Sequence, residues 1–304
     1  MRAELAAVEL LARRAGPPAN NEIWIGDDAA VLELPGKKCL FATDVTVEGI
    51  HFDRNIGSLA DVGWRALVQN LSDLAAMGGA PHAAVVTVSG ATFDELSEIY
   101  DGLLDAGKVF GCPVVGGDVS DGASLDISVA VLGIPGPNGP VLRSGARAGD
   151  VIFVTGPLGS AAAGLRQLRG DPKATGPLVE SCLRPTPRIK EGATAGRAGA
   201  AAMIDISDGL GIDLHRVADA SGVGVVLDYL PVAPGAEVDD ALGGGEDYEL
   251  VWCAPDADRM ATAFVDAGLS EPLAIGTVVE DRNIRELSGK PLPRSGFEHR
   301  LEGR

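Results

Sequence analysis

Apolar and polar positions along this chain follow two periods, one near 3.6 residues and one of short apolar runs. Helical spacing predicts helices over residues 59–77, 93–110, 160–168 and 210–221. Short apolar runs bounded by Gly, Pro or Asp predict strands around 40–45, 84–88, 114–115 and 125–132 before residue 135. Beyond residue 140 they predict strands at 151–155, 202–205, 223–227, 248–253 and 274–278. The intervening PGPNGP, residues 135–140, is the strongest breaker cluster and divides the chain into expected units 1–137 and 138–304. Strands and helices interleave in both units, so the expected class is α/β (α+β). The Ala/Gly-rich patch 193–202 reads as helix rather than linker, and no short-period repeat is present. The opening MRAELAAVELLARRAG carries Glu4 and Glu9 within its apolar stretch and reads as an amphipathic helix, not a signal peptide. No stretch has the unbroken apolar length of a membrane span.

Two of the helices place acidic residues differently. On 59–77, Trp64, Leu67, Val68, Leu71, Leu74 and Ala75 share one face, with Asn70, Asp73 and Met77 on a neighbouring stripe. Gly78 and Gly79 end this helix, so Asp73 lies in its last turn, where the helix dipole disfavours negative charge. A cation there would relieve the conflict. On 210–221 the apolar face is Leu210, Leu214, Val217, Ala218 and Ser221. Ser207 and Asp208 precede it, where capping groups and carboxylates are expected for structural reasons alone.

Charge narrows the partners. The 304 residues carry a formal net charge of −18. Binding to a nucleic-acid backbone or an anionic membrane surface needs clustered Lys and Arg, so neither partner is expected. With 46% hydrophobic residues spread along the chain, disorder is not expected either. Cys39, Cys112, Cys182 and Cys253 are widely spaced without a Cys-x-x-Cys pair, which argues against zinc or redox motifs and predicts buried free thiols in a reducing cytoplasm.

Several segments share one grammar, an apolar strand followed by Asp beside Gly or a small hydroxyl residue. They are Ile25-Gly26-Asp27-Asp28, Phe41-Ala42-Thr43-Asp44, Val115-Gly116-Gly117-Asp118 and Ile204-Asp205-Ile206-Ser207-Asp208-Gly209. A single Asp beside Gly is commonly a turn residue. Recurrence of the pattern, with Asp73 added, also suits a site where carboxylates hold Mg²⁺ against substrate phosphates. Gly156-Pro157-Leu158-Gly159-Ser160, between strand and helix, would serve either as a phosphate cradle or as a tight βα turn. Gly243-Gly244-Gly245, before Glu246-Asp247-Tyr248, implies a close approach to the backbone. A P-loop, a Rossmann fingerprint, a nucleophile elbow and a zincin motif are all missing. His51 and Arg143 each have an ordinary structural explanation. The apolar flank of Arg143 also suits a phosphate clamp.

In combination these segments resemble the thiamine-monophosphate kinase family. The pieces are IGDDAAVL (25–32), ATDVTVEGIHF (42–52), LVQNLSDLAAMGGAP (67–81), VVGGDVS (114–120), LRSGARAGDVIFVTGPLGSAAAGL (142–165), LRPTPRI (183–189), IDISDGLGIDL (204–214) and GGGEDYEL (243–250), in the family's order. The wider superfamily resembles aminoimidazole ribonucleotide synthetase. The resemblance implies an N-terminal α/β domain that forms a homodimer through its sheet, a C-terminal α/β domain, and a cleft for ATP and several Mg²⁺ ions. By position, Asp28, Thr43, Asp44, Asp73, Asp118, Asp205 and Asp208 resemble the metal set, with Asp27 helping. Gly117, Asp118, Arg143 and Ser207, with Tyr100 or Asp101, resemble nucleotide contacts. His51, Glu246 and Phe297 resemble contacts to thiamine phosphate. Two positions depart from the pattern: Ala42 lacks a hydroxyl that some members have, and Phe297 can stack but cannot hydrogen-bond. The activity implied is ATP-dependent phosphorylation of thiamine monophosphate. A sibling synthetase of the same fold and a non-catalytic Mg–nucleotide module are the alternatives.

Overall fold

The computed structural model describes residues 12–14, 17–18 and 21–298. The helix expected over 1–16 therefore lies outside the described residues, apart from 12–14, which are helical.

Two mixed sheets organise the chain. The first has strands β1 (Ala30–Leu34), β2 (Lys37–Val47), β3 (Ala80–Ser89), β4 (Val114–Ser120) and β5 (Asp126–Ile134), in the order β1-β2-β5-β3-β4. Only the β3–β4 pair is parallel. The second contains β6 (Val151–Val154), β7 (Ala202–Ile206), β8 (Gly224–Leu227), β9 (Glu249–Ala254), β10 (Leu273–Val279), β11 (Arg285–Leu287) and β12 (Lys290–Pro291). Its order is β12-β11-β8-β10-β6-β9-β7, with β11 parallel to β8 and the other pairs antiparallel. The PGPNGP segment lies between the two sheets.

Helices α1 (Leu59–Ala76) and α2 (Phe93–Phe110) belong to the first half, and each opens on a capping box, at Ser58 and Thr92 respectively. The second half carries α3 (Ser160–Gly170), α4 (Pro177–Leu183), α5 (Ile189–Ala198), α6 (Leu210–Ser221), α7 (Val238–Gly243) and α8 (Ala257–Asp266). Helices α4, α7 and α8 and strands β1, β11 and β12 were not anticipated from periodicity, because most are too short to show a repeat. The Ala/Gly patch splits: α5 stops at a left-handed Gly199, and β7 starts at Ala202.

Helix α1 is the element that joins the halves. One apolar face was expected, yet burial runs almost all round it, including Arg65, Asn70 and Ser72. The reason is its position: it packs against β2, β3, β5 and α2 on one side and against α4, α5 and β7 on the other. Its contact with α2 is unusually close. A Cβ on Gly63 would meet the Ile99 carbonyl oxygen at 2.0 Å, and one on Gly102 would meet that of Ala60 at 1.8 Å.

Alternation in β2 and β3 turns Ala42, Val86 and Val88 inward onto the first core, while Phe41, Val45 and Val85 face out. A second core, including Ile152, Val154, Ile204, Leu214 and Val251, fills the other half. All four cysteines are free and buried, as expected from their apolar settings. No helix among the described residues is long and apolar enough to cross a membrane.

Candidate active site

The carboxylates of Asp28, Asp73 and Asp205 offer oxygen atoms that all lie within 4.8 Å of one another. Asp28 precedes β1, Asp73 lies in the last turn of α1, and Asp205 is on β7. Residues far apart in sequence, from both halves, thus meet at one end of α1. Ser72, next to Asp73 on α1, donates its hydroxyl to Asp205 at 2.6 Å and fixes that carboxylate in place.

The electrostatics are unfavourable for bare carboxylates. Burial, followed by Asp44, Asp205 and Asp28, pushes the Asp73 carboxyl well above its ordinary range. Asp205 is likewise pushed well up, by burial and then by Asp28, against the pull of the Ser72 hydroxyl. Burial and the neighbouring Asp28 carboxylate raise Asp27 to about 6. The donor set is all oxygen, hard and crowded with like charge, which is the chemistry that suits Mg²⁺.

Arg143 answers part of this charge. Its guanidinium grips Asp28 at 2.8 and 3.2 Å, and its backbone N–H donates to Asp27. The side chain expected to clamp phosphate is therefore held at the acidic cluster, paired with one of the candidate metal ligands.

The other expected residues are placed as follows. Asp44 lies on the α1 side of β2, and its N–H donates to Asn70 Oδ1 at 3.0 Å. Its proximity is felt as the largest charge effect on Asp73. Thr43, one residue earlier, has its side chain on the opposite face of the strand, and its hydroxyl donates to the Val129 carbonyl at 2.9 Å. The structure thus does not bring the Thr43 hydroxyl to the carboxylates. Gly117 and Asp118 lie on the edge strand β4, with Asp118 exposed and in register with Thr87. Gly117 has no room for a side chain, because a Cβ there would meet the Val86 carbonyl oxygen at 1.7 Å. Tyr100, on α2, is packed half-buried against the first core, and Asp101 beside it is exposed. Among the described residues, no hydrogen bond joins either of them to the acidic cluster.

Asp208 follows β7 and pairs with Arg216 at 2.6 Å. It was expected, with Ser207, to cap the helix that follows. The structure gives that task to Asp213 instead, whose Oδ2 accepts the N–H groups of Asp208 and Gly209 at 3.1 Å. Burial raises Asp213 to about 7, against the attraction of Arg216. The Gly-rich turn at 156–160 is also explained internally. Asp247 accepts from the N–H groups of Gly159 and Ala161, so a carboxylate of the chain itself fills the N-terminus of α3. Burial lifts Asp247 to about 6. The close approach implied by Gly243-Gly244-Gly245 is likewise to the protein's own backbone: a Cβ on Gly245 would meet the Ser207 carbonyl oxygen at 2.6 Å.

Two of the three expected substrate contacts, Glu246 and Phe297, lie against the 207–208 segment, and His51 is tied to Glu246 through Arg65. Glu246 donates its N–H to the Ser207 carbonyl, and Phe297 donates its N–H to the Asp208 carbonyl. His51 sits in the turn after β2, where its Nδ1 accepts from the Val47 N–H at 3.0 Å. Arg65 links this turn to Glu246, with hydrogen bonds to the His51 carbonyl and the Glu246 carboxylate. Sequence reasoning missed Arg65, Asn70 and Ser72 as supports. The sequence carried no clear signal for them, because the all-round burial of this helix comes from packing by elements remote in sequence.

The fold and the divided acidic site define the class of protein. The model for the AIR synthase related protein, N-terminal domain, matches residues 26–135, and that for the C-terminal domain matches residues 147–287. A thiamine-monophosphate kinase of Synechococcus elongatus is 37% identical over 276 residues, 84% of each chain. One from Escherichia coli (strain K12) is 36% identical over 301 residues, covering 91% of this chain and 92% of its own. Among solved structures, AaThiL complexed with AMPPCP and TMP matches with a TM-score of 0.86 and 32% identity, covering 97% of this chain and 96% of that one. The chain belongs to the thiamine-monophosphate kinase family.

Proposed function

We propose that this protein transfers the γ-phosphoryl group of ATP to the phosphate of thiamine monophosphate, giving ADP and thiamine diphosphate. The observation that carries the reading is the meeting of Asp28, Asp73 and Asp205 from both halves at one point, within 4.8 Å. Similarity to a structure complexed with AMPPCP and TMP supports the choice of substrates.

The acceptor oxygen already bears charge, so no general base is needed, and the obstacle is bringing two polyanions into line. Asp28, Asp73 and Asp205, with Asp44 beside them, would hold Mg²⁺, and Asp27, Asp118 and Asp208 complete the acidic surroundings. Bound there, Mg²⁺ supplies positive charge that offsets the repulsion between the phosphates. Arg143 stands at the cluster to steady the ATP phosphates, with Gly117 and Ser207 presenting backbone close to the nucleotide. Tyr100 keeps its place as an outer nucleotide contact in this reading, and Thr43 contributes through its backbone position rather than its hydroxyl. His51, Glu246 and Phe297 orient thiamine monophosphate, Phe297 by stacking. Units 1–137 and 138–304 each supply part of the site.

A homodimer through the outer face of the first sheet completes the proposal. Phe41, Val45 and Val85 remain 44%, 46% and 44% exposed there, an apolar stripe suited to a second copy of the same surface.

Incubation with ATP, Mg²⁺ and thiamine monophosphate should yield thiamine diphosphate and ADP in equal amounts, followed by chromatography. ATP consumption only with some other acceptor would move the reading to a sibling synthetase. ATP binding without turnover would reduce it to a nucleotide-binding module.

A further inference from the structure

We infer that Arg65 is a positioning residue of the thiamine monophosphate site, holding the His51 turn and the Glu246 carboxylate in one fixed arrangement from helix α1. The inference rests on the reading of His51 and Glu246 as substrate contacts and adds what fixes them.

Arg65 is a buried cation, 9% exposed, on a helix whose other buried positions are mostly apolar. One of its nitrogens, Nη2, serves two acceptors: the His51 backbone carbonyl at 2.9 Å and Glu246 Oε1 at 2.5 Å. An Nη2 group has two hydrogens, so both bonds form at once. The two acceptors come from opposite halves of the chain. Both are also held by other means. The His51 ring accepts from Val47 N–H through Nδ1, which puts the proton of the neutral imidazole on Nε2. Glu246 sits at φ 68, a left-handed conformation unusual for its type, with its N–H on the Ser207 carbonyl. Arg65 links these two fixtures directly.

Stability alone explains the residue poorly. A buried guanidinium is commonly no better for folding than an apolar side chain of similar size. Here Nε is buried with no hydrogen-bond partner among the described residues, so the burial is not fully compensated. The Glu246 side chain, by contrast, stays 30% exposed and keeps part of its carboxylate open to a ligand. A carboxylate held rigidly with one side toward solvent is suited to the cationic thiazolium of thiamine monophosphate.

The test compares wild type, Arg65→Met, Arg65→Lys, Glu246→Ala and His51→Ala, with KM measured for each substrate and AMPPCP binding measured separately. Loss of a charge-assisted hydrogen bond predicts that Arg65→Met raises KM for thiamine monophosphate roughly tenfold to a hundredfold. KM for ATP and AMPPCP affinity should stay within about twofold. A lysine ammonium also offers several N–H donors from one nitrogen, so Arg65→Lys should recover most of the loss. Arg65→Met combined with Glu246→Ala should raise KM by clearly less than the product of the two single effects, the remainder being the loss of the hold on the His51 turn. An unchanged KM for thiamine monophosphate in a folded Arg65→Met protein, equal rises for both substrates, or full additivity would overturn the inference. Should Arg65→Met fail to fold, Glu246→Gln measured in the wild-type and Arg65→Lys backgrounds decides the same point: coupled effects support it and additive ones refute it. If Glu246→Ala and His51→Ala leave KM for thiamine monophosphate unchanged, the substrate-site reading fails and takes this inference with it. If they raise it and Arg65→Met does not, only the inference fails.

Discussion

Asp73 carries two conflicts at once, the C-terminal end of a helix dipole and the neighbouring carboxylates of Asp44, Asp205 and Asp28. A carboxyl whose folded pKa is raised stabilises the fold below its unfolded pKa and loses that contribution as pH climbs through the folded one. Without divalent cation, wild type should therefore lose stability at this site as pH rises above the ordinary carboxyl value of 3.8 and through the raised folded value. Asp73→Asn should not, and in EDTA at about pH 8 it should melt a few degrees above wild type. Its phosphoryl transfer should fall by roughly a hundredfold or more, because a neutral amide is a poor Mg²⁺ ligand. Thermal melts in EDTA across pH, with rates at saturating substrates, check both parts. A second outcome belongs to the same residues. Mg²⁺ and protons compete for the raised carboxylates, so the Mg²⁺-induced rise in melting temperature in wild type should grow with pH over that range. An increment that shrinks as pH rises would contradict the assignment of Asp28, Asp73 and Asp205 as the cation site.

At the scale of elements, α1 decides the most. It brings Asp73 and Ser72 to β7, Asn70 to β2, and Arg65 to Glu246. It can do so only while α2 lies close against it, and Gly63 and Gly102 permit that approach. Glycine to alanine in a helix interior ordinarily gains about 1 kcal/mol. Gly102→Ala should reverse the sign, because the new Cβ would stand 1.8 Å from the Ala60 carbonyl oxygen. The expected cost is about 2–3 kcal/mol, with a melting temperature lower by several degrees in calorimetry. A stabilised Gly102→Ala protein would show that the helices can separate freely. Periodicity made α1 and α2 legible along their whole lengths, since eighteen-residue helices show several repeats. It could not say that α1 is buried nearly all round, because packing by β7, α4 and α5 depends on residues a hundred or more positions away. Short elements such as α7 and β11 carry too little repeat to be seen in advance.

For the whole molecule, the net charge of −18 and the outer face of the first sheet bear on association. Like-charged copies repel at long range, so a dimer would depend on local apolar contact at Phe41, Val45 and Val85. In an isologous contact every added charge faces the same surface on the partner. Val45→Glu should therefore shift a dimer to monomer in sedimentation velocity, with the fold retained because the side chain already faces outward. Unchanged sedimentation of Val45→Glu would place any dimer contact elsewhere.

The sequence by itself determined the class and the family and singled out the aspartates as candidates, because those are written in local order: apolar runs, breakers, and Asp beside Gly. It also carried the dipole conflict at Asp73, which is a property of one helix end. Tertiary structure alone decided which carboxylates meet. Asp28, Asp73 and Asp205 converge, while Thr43 turns its hydroxyl away because adjacent strand residues face opposite sides. It also reassigned two motifs: Asp247 fills the turn at 156–160, and Asp213 takes the place expected of Asp208. Each of these is a contact between residues remote in sequence. Such contacts depend on how sheets and helices stack, and a one-dimensional pattern holds no measure of that distance.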